Sequence, residues 1–141
     1  MSINTVHDVE FGAELPTFQP DTSLTKTSAF AEAVGWGTGG GRFSDHEAAK
    51  KQGLPGALVP GIMGMGFLTS TIHQWSDAAE IEHIDTVFRA PMLADSNLTI
   101  GAVVTDIDED TGLIELDMTL KNEADETRVF GTARVRLPTE G

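Results

Sequence analysis

The sequence predicts an α+β fold in which a curled antiparallel sheet of five or more strands wraps one apolar helix. Two observations carry this. Residues 61–75 form the one long, nearly uncharged apolar segment, with Ile62, Met63, Met65, Phe67, Leu68, Ile72 and Trp75 leaving little polar surface on any side of a helix. Residues 98–104 and 114–120 alternate with period two, as half-buried antiparallel strands do. Helical patterns come first and strand patterns follow, an order that segregates helix from sheet.

Composition narrows the function. The chain has 141 residues, enough for a single domain spanning 1–141 with its own core. Its 22 acidic and 9 basic residues give a net charge of −13, which excludes a general nucleic-acid binder because the phosphate backbone would be repelled. With no cysteine there is neither a disulfide framework nor thiol chemistry. The first residues carry no basic-then-apolar leader, which favours the cytoplasm. The 61–75 helix would be about 22 Å long, too short to cross a bilayer.

The elements follow in order. Residues 1–9 are polar and read as loose at their start. Pro16 confines residues 11–18 to an edge strand, because it cannot donate to a ladder. Residues 25–34 read as a short helix with Thr27 or Ser28 as cap, and five glycines among residues 35–41 make a loop. Asp45 is placed to cap the next helix and Gly53 to stop it. Pro60 suits the start of the apolar helix, where a missing N–H does no harm. Gly61, Gly64 and Gly66 cost helix propensity, so close approach of a sheet or ligand is expected there. A polar connection over 74–82 leads to strands at 84–88, 98–106, 113–121 and 127–137, with hairpin turns at 108–112 and 122–126.

Several short stretches, taken in order and spacing, resemble a known family. Phe11-Gly-Ala-Glu-Leu-Pro, Phe30-Ala-Glu-Ala-Val-Gly, Phe43-Ser-Asp, Gly53-Leu-Pro-Gly, Val59-Pro-Gly-Ile-Met, Phe88-Arg-Ala-Pro-Met and Gly131-Thr-Ala-Arg-Val-Arg-Leu-Pro are similar to the corresponding parts of MaoC-like hot-dog proteins, relatives of the (R)-specific enoyl-CoA hydratases. The resemblance implies a hot-dog fold and an acyl thioester of CoA or a carrier protein as substrate. It implies no cofactor or metal, and pairing with a second hot-dog chain as homodimer or heterodimer. It also implies an Asp and a His acting on water and the α-proton, in seats here occupied by Thr38 and Phe43. Neither performs acid–base work near neutral pH. Pro60 likewise replaces a customary His before the helix glycine.

The remaining candidates are weighed singly. The Gly61 N–H lies where donors are unpaired and the helix dipole is positive, so it is a candidate holder of a thioester carbonyl oxygen; close packing is the plainer role. Asp45 and His46 form, with Glu47, an acidic-imidazole cluster, against which stand a cap role for Asp45 and a surface role for His46. His73 reads as a partly buried, hydrogen-bonded side chain and His83 as a surface residue preceding a strand. Trp36, Pro60 and Met63 are candidate acyl contacts. Arg42, Lys50 and Arg89 are candidate partners of CoA phosphates or plain surface charges. The glycine loop lacks the Gly-Lys-Ser/Thr ending of a phosphate loop, and no His, Asp and Glu spacing suits a metal. Three readings remain: a hydratase/dehydratase with altered catalytic residues, a non-catalytic acyl-CoA-binding or partner subunit, and a thioesterase using Asp45 or Glu47.

Overall fold

The structure, a computed structural model, describes residues 2–36 and 41–141. In chain order it contains α1 (Leu24–Ala33), α2 (His46–Lys51), β1 (Leu58–Val59), α3 (Gly61–Trp75), β2 (Glu80–Phe88), β3 (Met92–Leu93), β4 (Thr99–Asp108), β5 (Leu113–Lys121) and β6 (Thr127–Arg136). Four strands form an antiparallel sheet in the order β2-β6-β5-β4, while β1 and β3 pair separately, Leu58 opposite Leu93 and Val59 opposite Met92.

Alternation along the strands puts one face of the sheet against α3. Ile114, Leu116, Met118 and Leu120 of β5 point inward with Val129, Ala133 and Val135 of β6 and Ile100, Ala102 and Val104 of β4. Leu68 and Ile72 of α3 meet them and are 0% exposed. Each such side chain contributes about 1.5–3 kcal/mol relative to leaving it in water. Gly64 is what lets the helix come this close: a Cβ there would lie 2.9 Å from the Met92 Cε and 3.6 Å from Val129 Cγ2. Gly66 faces open space, so close packing does not explain it.

The two sheet edges differ. Beyond β4, residues 12–18 run alongside: Gly12, Leu15 and Phe18 donate their N–H groups to the carbonyls of Val104, Ala102 and Ile100 at 2.9, 2.9 and 3.0 Å. This is the expected edge segment, reduced by Pro16 to isolated bridges at Glu14 and Phe18. At the other edge, β2 has β6 on one side and no strand on the other among the described residues. Within that β2–β6 pair the chains are in close contact at Gly131, where a Cβ would sit 2.1 Å from the Asp85 carbonyl oxygen.

The central helix and β5 have the bounds the sequence predicts; other elements differ. Near the N-terminus, Thr5 and Asp8 close a capping box around a 3-10 turn, Val6–Asp8, with Val6 buried. α1 starts earlier than expected, on Ser23, whose side chain accepts from the Lys26 N–H. β2 begins at Glu80, so only residues 76–79 are connection. A register shift between Ile81 and His83 interrupts its alternation and hides its first half from a period-two reading. His83 therefore lies within β2, exposed, and His73 is exposed in the last turn of α3. Finally, α3 is not buried nearly all round: Gly61, Ile62, Gly66, His73 and Gln74 are exposed, and Ile62 keeps 45% of its surface. No helix among the described residues is long and apolar enough to cross a membrane.

Candidate functional site

The start of α3 is built from a short run with fixed direction. Pro60, buried, holds an extended conformation (φ −55°, ψ 135°) and has no side chain to cap the helix. The Met63 N–H reaches back to the Pro60 carbonyl at 3.0 Å, but the N–H groups of Gly61 and Ile62 have no partner among the described residues. Four unpaired donors are the rule at a helix start, and the aligned peptide dipoles make the position attractive to oxygen atoms carrying negative charge. Phe88 covers this start from β2, with its ring atoms 3.5–3.7 Å from where a Gly61 Cβ would be. Ile62, Val87 and Phe88 are all substantially exposed, so the donors sit beside an apolar, open surface.

The loop carrying Phe43, one of the two seats that the resemblance implies, approaches the same run. The Arg42 carbonyl accepts the Leu58 N–H at 2.7 Å, which ties the residue before Phe43 to β1. Phe43 is half-buried, stacks obliquely on Trp36 with ring centroids 5.9 Å apart, and its carbonyl accepts from Thr27 Oγ1 at 3.2 Å. The other seat, Thr38, lies outside the described residues. A phenyl ring neither takes up nor releases a proton, so Phe43 offers shape and apolar surface only.

Asp45 and His46 are engaged in building the scaffold. Asp45 caps α2, its Oδ1 accepting from the N–H groups of Glu47 and Ala48 at 2.9 and 3.2 Å. Gly41 (φ +84°) sets up this turn by accepting from the N–H groups of Ser44 and Asp45, and a Cβ on it would lie 2.8 Å from the Ala48 Cβ. His46 Nδ1 accepts the Ala57 N–H at 3.0 Å and its Nε2 lies 2.8 Å from Asp95 Oδ2. The other Asp95 oxygen accepts the Leu24 N–H at the start of α1. The His46 hydrogen bond first, and the Leu24 N–H second, hold the Asp95 carboxyl below the usual carboxylate range.

The cationic candidates are dispersed. Arg42 donates to Gln52 Oε1 at 3.3 Å, and Lys50 forms an exposed pair with Glu47 at 3.4 Å, a contact of little energetic weight. Arg89 lines a cavity of about 450 Å³ together with Asp85, Val87, Asp117 and Phe130, on the sheet face opposite α3. Met63 is half-buried against the core, and Trp36 is exposed at the end of α1. No group of three or more metal-ligating side chains comes together among the described residues.

Sequence reasoning did not single out Asp95, nor Phe88 as the cover over Gly61. Asp95 stands 49 positions from His46, and no periodicity links the two. The one local signal is its place in Asp95-Ser96-Asn97, a cluster typical of turns that adopt the left-handed conformation it shows (φ +59°).

No protein-family model matches the chain, and no curated protein matches its sequence. Solved structures do match. A chain of the ChsH1-ChsH2 complex from Mycobacterium tuberculosis superposes with a TM-score of 0.79 at 22% identity, covering 92% of this chain and 98% of that one. The unliganded R-hydratase PhaJ1 from Pseudomonas aeruginosa gives a TM-score of 0.85 at 16% identity, covering 96% and 86%. A MaoC-like dehydratase from Rhodospirillum rubrum gives 0.77 at 16% identity, covering 95% and 98%. The antiparallel sheet curled on α3 is thus the hot-dog fold, in the form shared by MaoC-like dehydratases and R-hydratases.

Proposed function

We propose that this chain binds an acyl thioester at the start of α3 and, by itself, lacks the acid–base pair that hydrates one. The observation that supports this most directly is the pair of unpartnered N–H groups at Gly61 and Ile62, beside the exposed ring of Phe88; the family resemblance adds that Phe43 takes the seat of an imidazole. Such donors, aimed where negative charge gathers on a carbonyl oxygen, polarise a thioester without needing a titratable group. His46 is poorly suited to supply the missing proton transfer, since both its ring nitrogens are already committed.

The open edge of β2 and the exposed Ile62, Val87 and Phe88 suit a second hot-dog chain pairing along β2. The ChsH1-ChsH2 neighbour is a complex of two chains, so a heteromeric arrangement has a structural precedent within the fold. In that arrangement this chain supplies the thioester cradle and its partner supplies acid and base.

Mass analysis of the purified protein with a panel of enoyl- and acyl-CoA esters tests the reading. Binding with little or no hydration or hydrolysis is the expected result. The combined substitution Thr38→Asp with Phe43→His should raise crotonyl-CoA hydration by about 10²-fold or more, and either alone by much less, because the pair acts as a unit. Ordinary enzyme turnover by the unmodified chain alone would reject the proposal.

A further inference from the structure

His46 joins three parts of the chain that sequence keeps apart. Its Nε2 meets Asp95 beyond β3, Asp95 holds the first N–H of α1, and its Nδ1 receives the Ala57 N–H just before β1. A backbone N–H can only donate, so Nδ1 carries no proton, and the ring's one hydrogen is on Nε2, directed at Asp95. Ala57 is 0% exposed and held on its other side too, its carbonyl accepting the Ala94 N–H at 2.9 Å. The ring fills the space above Gly56, where a Cβ would be 3.1 Å from Nδ1. Three residues after Ala57 comes Pro60, then the free N–H of Gly61.

Adding a proton to His46 has a defined consequence. The new hydrogen goes on Nδ1 and confronts the Ala57 N–H, turning an acceptor into a second donor and leaving a buried amide unpaired. The charged groups near the ring are Asp95 from the loop after β3, with Asp21 behind it, Asp45 at the cap of α2, and Glu47 on α2 itself, paired with Lys50. The turn carrying Gly56 and Ala57 contributes no charge. Asp95 therefore keeps hold of the protonated ring at Nε2 while the Ala57 contact opens, so the bracket parts on the α3 side.

We propose that His46 is a positioning residue: anchored by Asp95, it fixes residues 57–60 and through them the aim of the Gly61 N–H, and it releases them on protonation. The proposal rests on the thioester reading only for what the positioned N–H serves.

Amide resonances of the uniformly ¹⁵N-labelled full chain, followed from pH 8 to pH 5, test it. The Ala57 and Gly61 signals should move together, with the midpoint shown by the His46 ring. In His46→Asn, whose side-chain oxygen can take the Ala57 N–H but does not titrate, both should stay still. At constant pH, His46→Ala should speed exchange of the Ala57 amide about 10-fold, the cost of one lost hydrogen bond to a buried donor, with His46→Asn restoring protection. Should His46→Ala not fold, the titration of the unmodified chain decides. Stationary Ala57 and Gly61 signals while the ring titrates would overturn the proposal. So would equal movement in His46→Asn, which would trace it to another imidazole such as His73 on α3. Crotonyl-CoA separates this from the functional reading: coupled amide signals with no response to crotonyl-CoA at any pH uphold the bracket and sink thioester binding.

Discussion

Two helix beginnings, α2 and α3, present the same physical problem and resolve it oppositely. Each has N–H groups with no carbonyl one turn earlier to accept them. At α2 the Asp45 carboxylate takes two of them, and Gly41 bends the chain so that it can. At α3 the corresponding residue is Pro60, which has nothing to offer, and the Gly61 and Ile62 donors stay open under Phe88. The contrast separates a helix finished for stability from one left unfinished at its most polarised point. Local capping thus marks where the fold is held, and a missing cap leaves donors open.

Removing the cap from α2 should have the largest effect on stability. Asp45→Ala strips two donors of their acceptor and should cost about 1 kcal/mol, which for a chain of this size lowers Tm by about 4 °C in a thermal scan. A loss near zero would mean that α2 draws its stability from packing alone, and the contrast with α3 would weaken.

Acid should probe the same capped regions. Asp8 is held below the usual range by the Asn4 and Thr5 N–H groups, Asp21 by the Ser23 N–H and side chain, and Asp95 first by His46 and then by Leu24. Because their folded values are depressed, the stability they contribute is complete above the ordinary carboxylate value of about 3.9 and drains away as pH falls below it through the lowered values. Tm against pH should therefore descend below about pH 4, and Asp95→Asn should flatten part of that descent. An unchanged acid limb in Asp95→Asn would show that the α1 junction does not depend on this charge.

The smallest stability effect is expected at α3. A methyl on Gly61 meets the Phe88 ring at an ordinary contact distance, and alanine is the better helix former, so Gly61→Ala should leave Tm unchanged or slightly raised. Crotonyl-CoA titration of the same variant should nonetheless show weakened binding, since the added methyl narrows access to the donors. Equal losses of stability and binding would return Gly61 to a packing role.

What was legible in the sequence follows from the same physics. Residues 61–75 stand out because charge vanishes over the whole run and Pro60 opens it, and β5 because its alternation is uninterrupted from Ile114 to Lys121. β1 and β3 are two residues each, too short for any period to show, and the shift in β2 at Ile81 scrambles a pattern that would otherwise be plain. At α1 the apolar run begins only at Ala29, after a first turn that is polar apart from Leu24, so the sequence pattern places the cap too late. The exposed side of α3 was invisible for a different reason: apolar side chains read as buried whether a chain covers them itself or leaves them for another. The bracket at His46 depends on a partner that only the fold brings near.

The strip over β4 carries a last consequence, this one for the order of folding. Phe18 pairs with Ile100 and Gly12 with Val104, contacts that span more than eighty positions, whereas β4, β5 and β6 are joined by tight hairpins. Closing so long a loop costs entropy that neighbouring hairpins avoid, so the meander forms first and the strip joins late. During synthesis the strip leaves the ribosome more than eighty residues ahead of the strand it pairs with and must wait for it. Until it docks, β4 has a bare backbone edge, and the interval is when the nascent chain is most apt to pair with a neighbour.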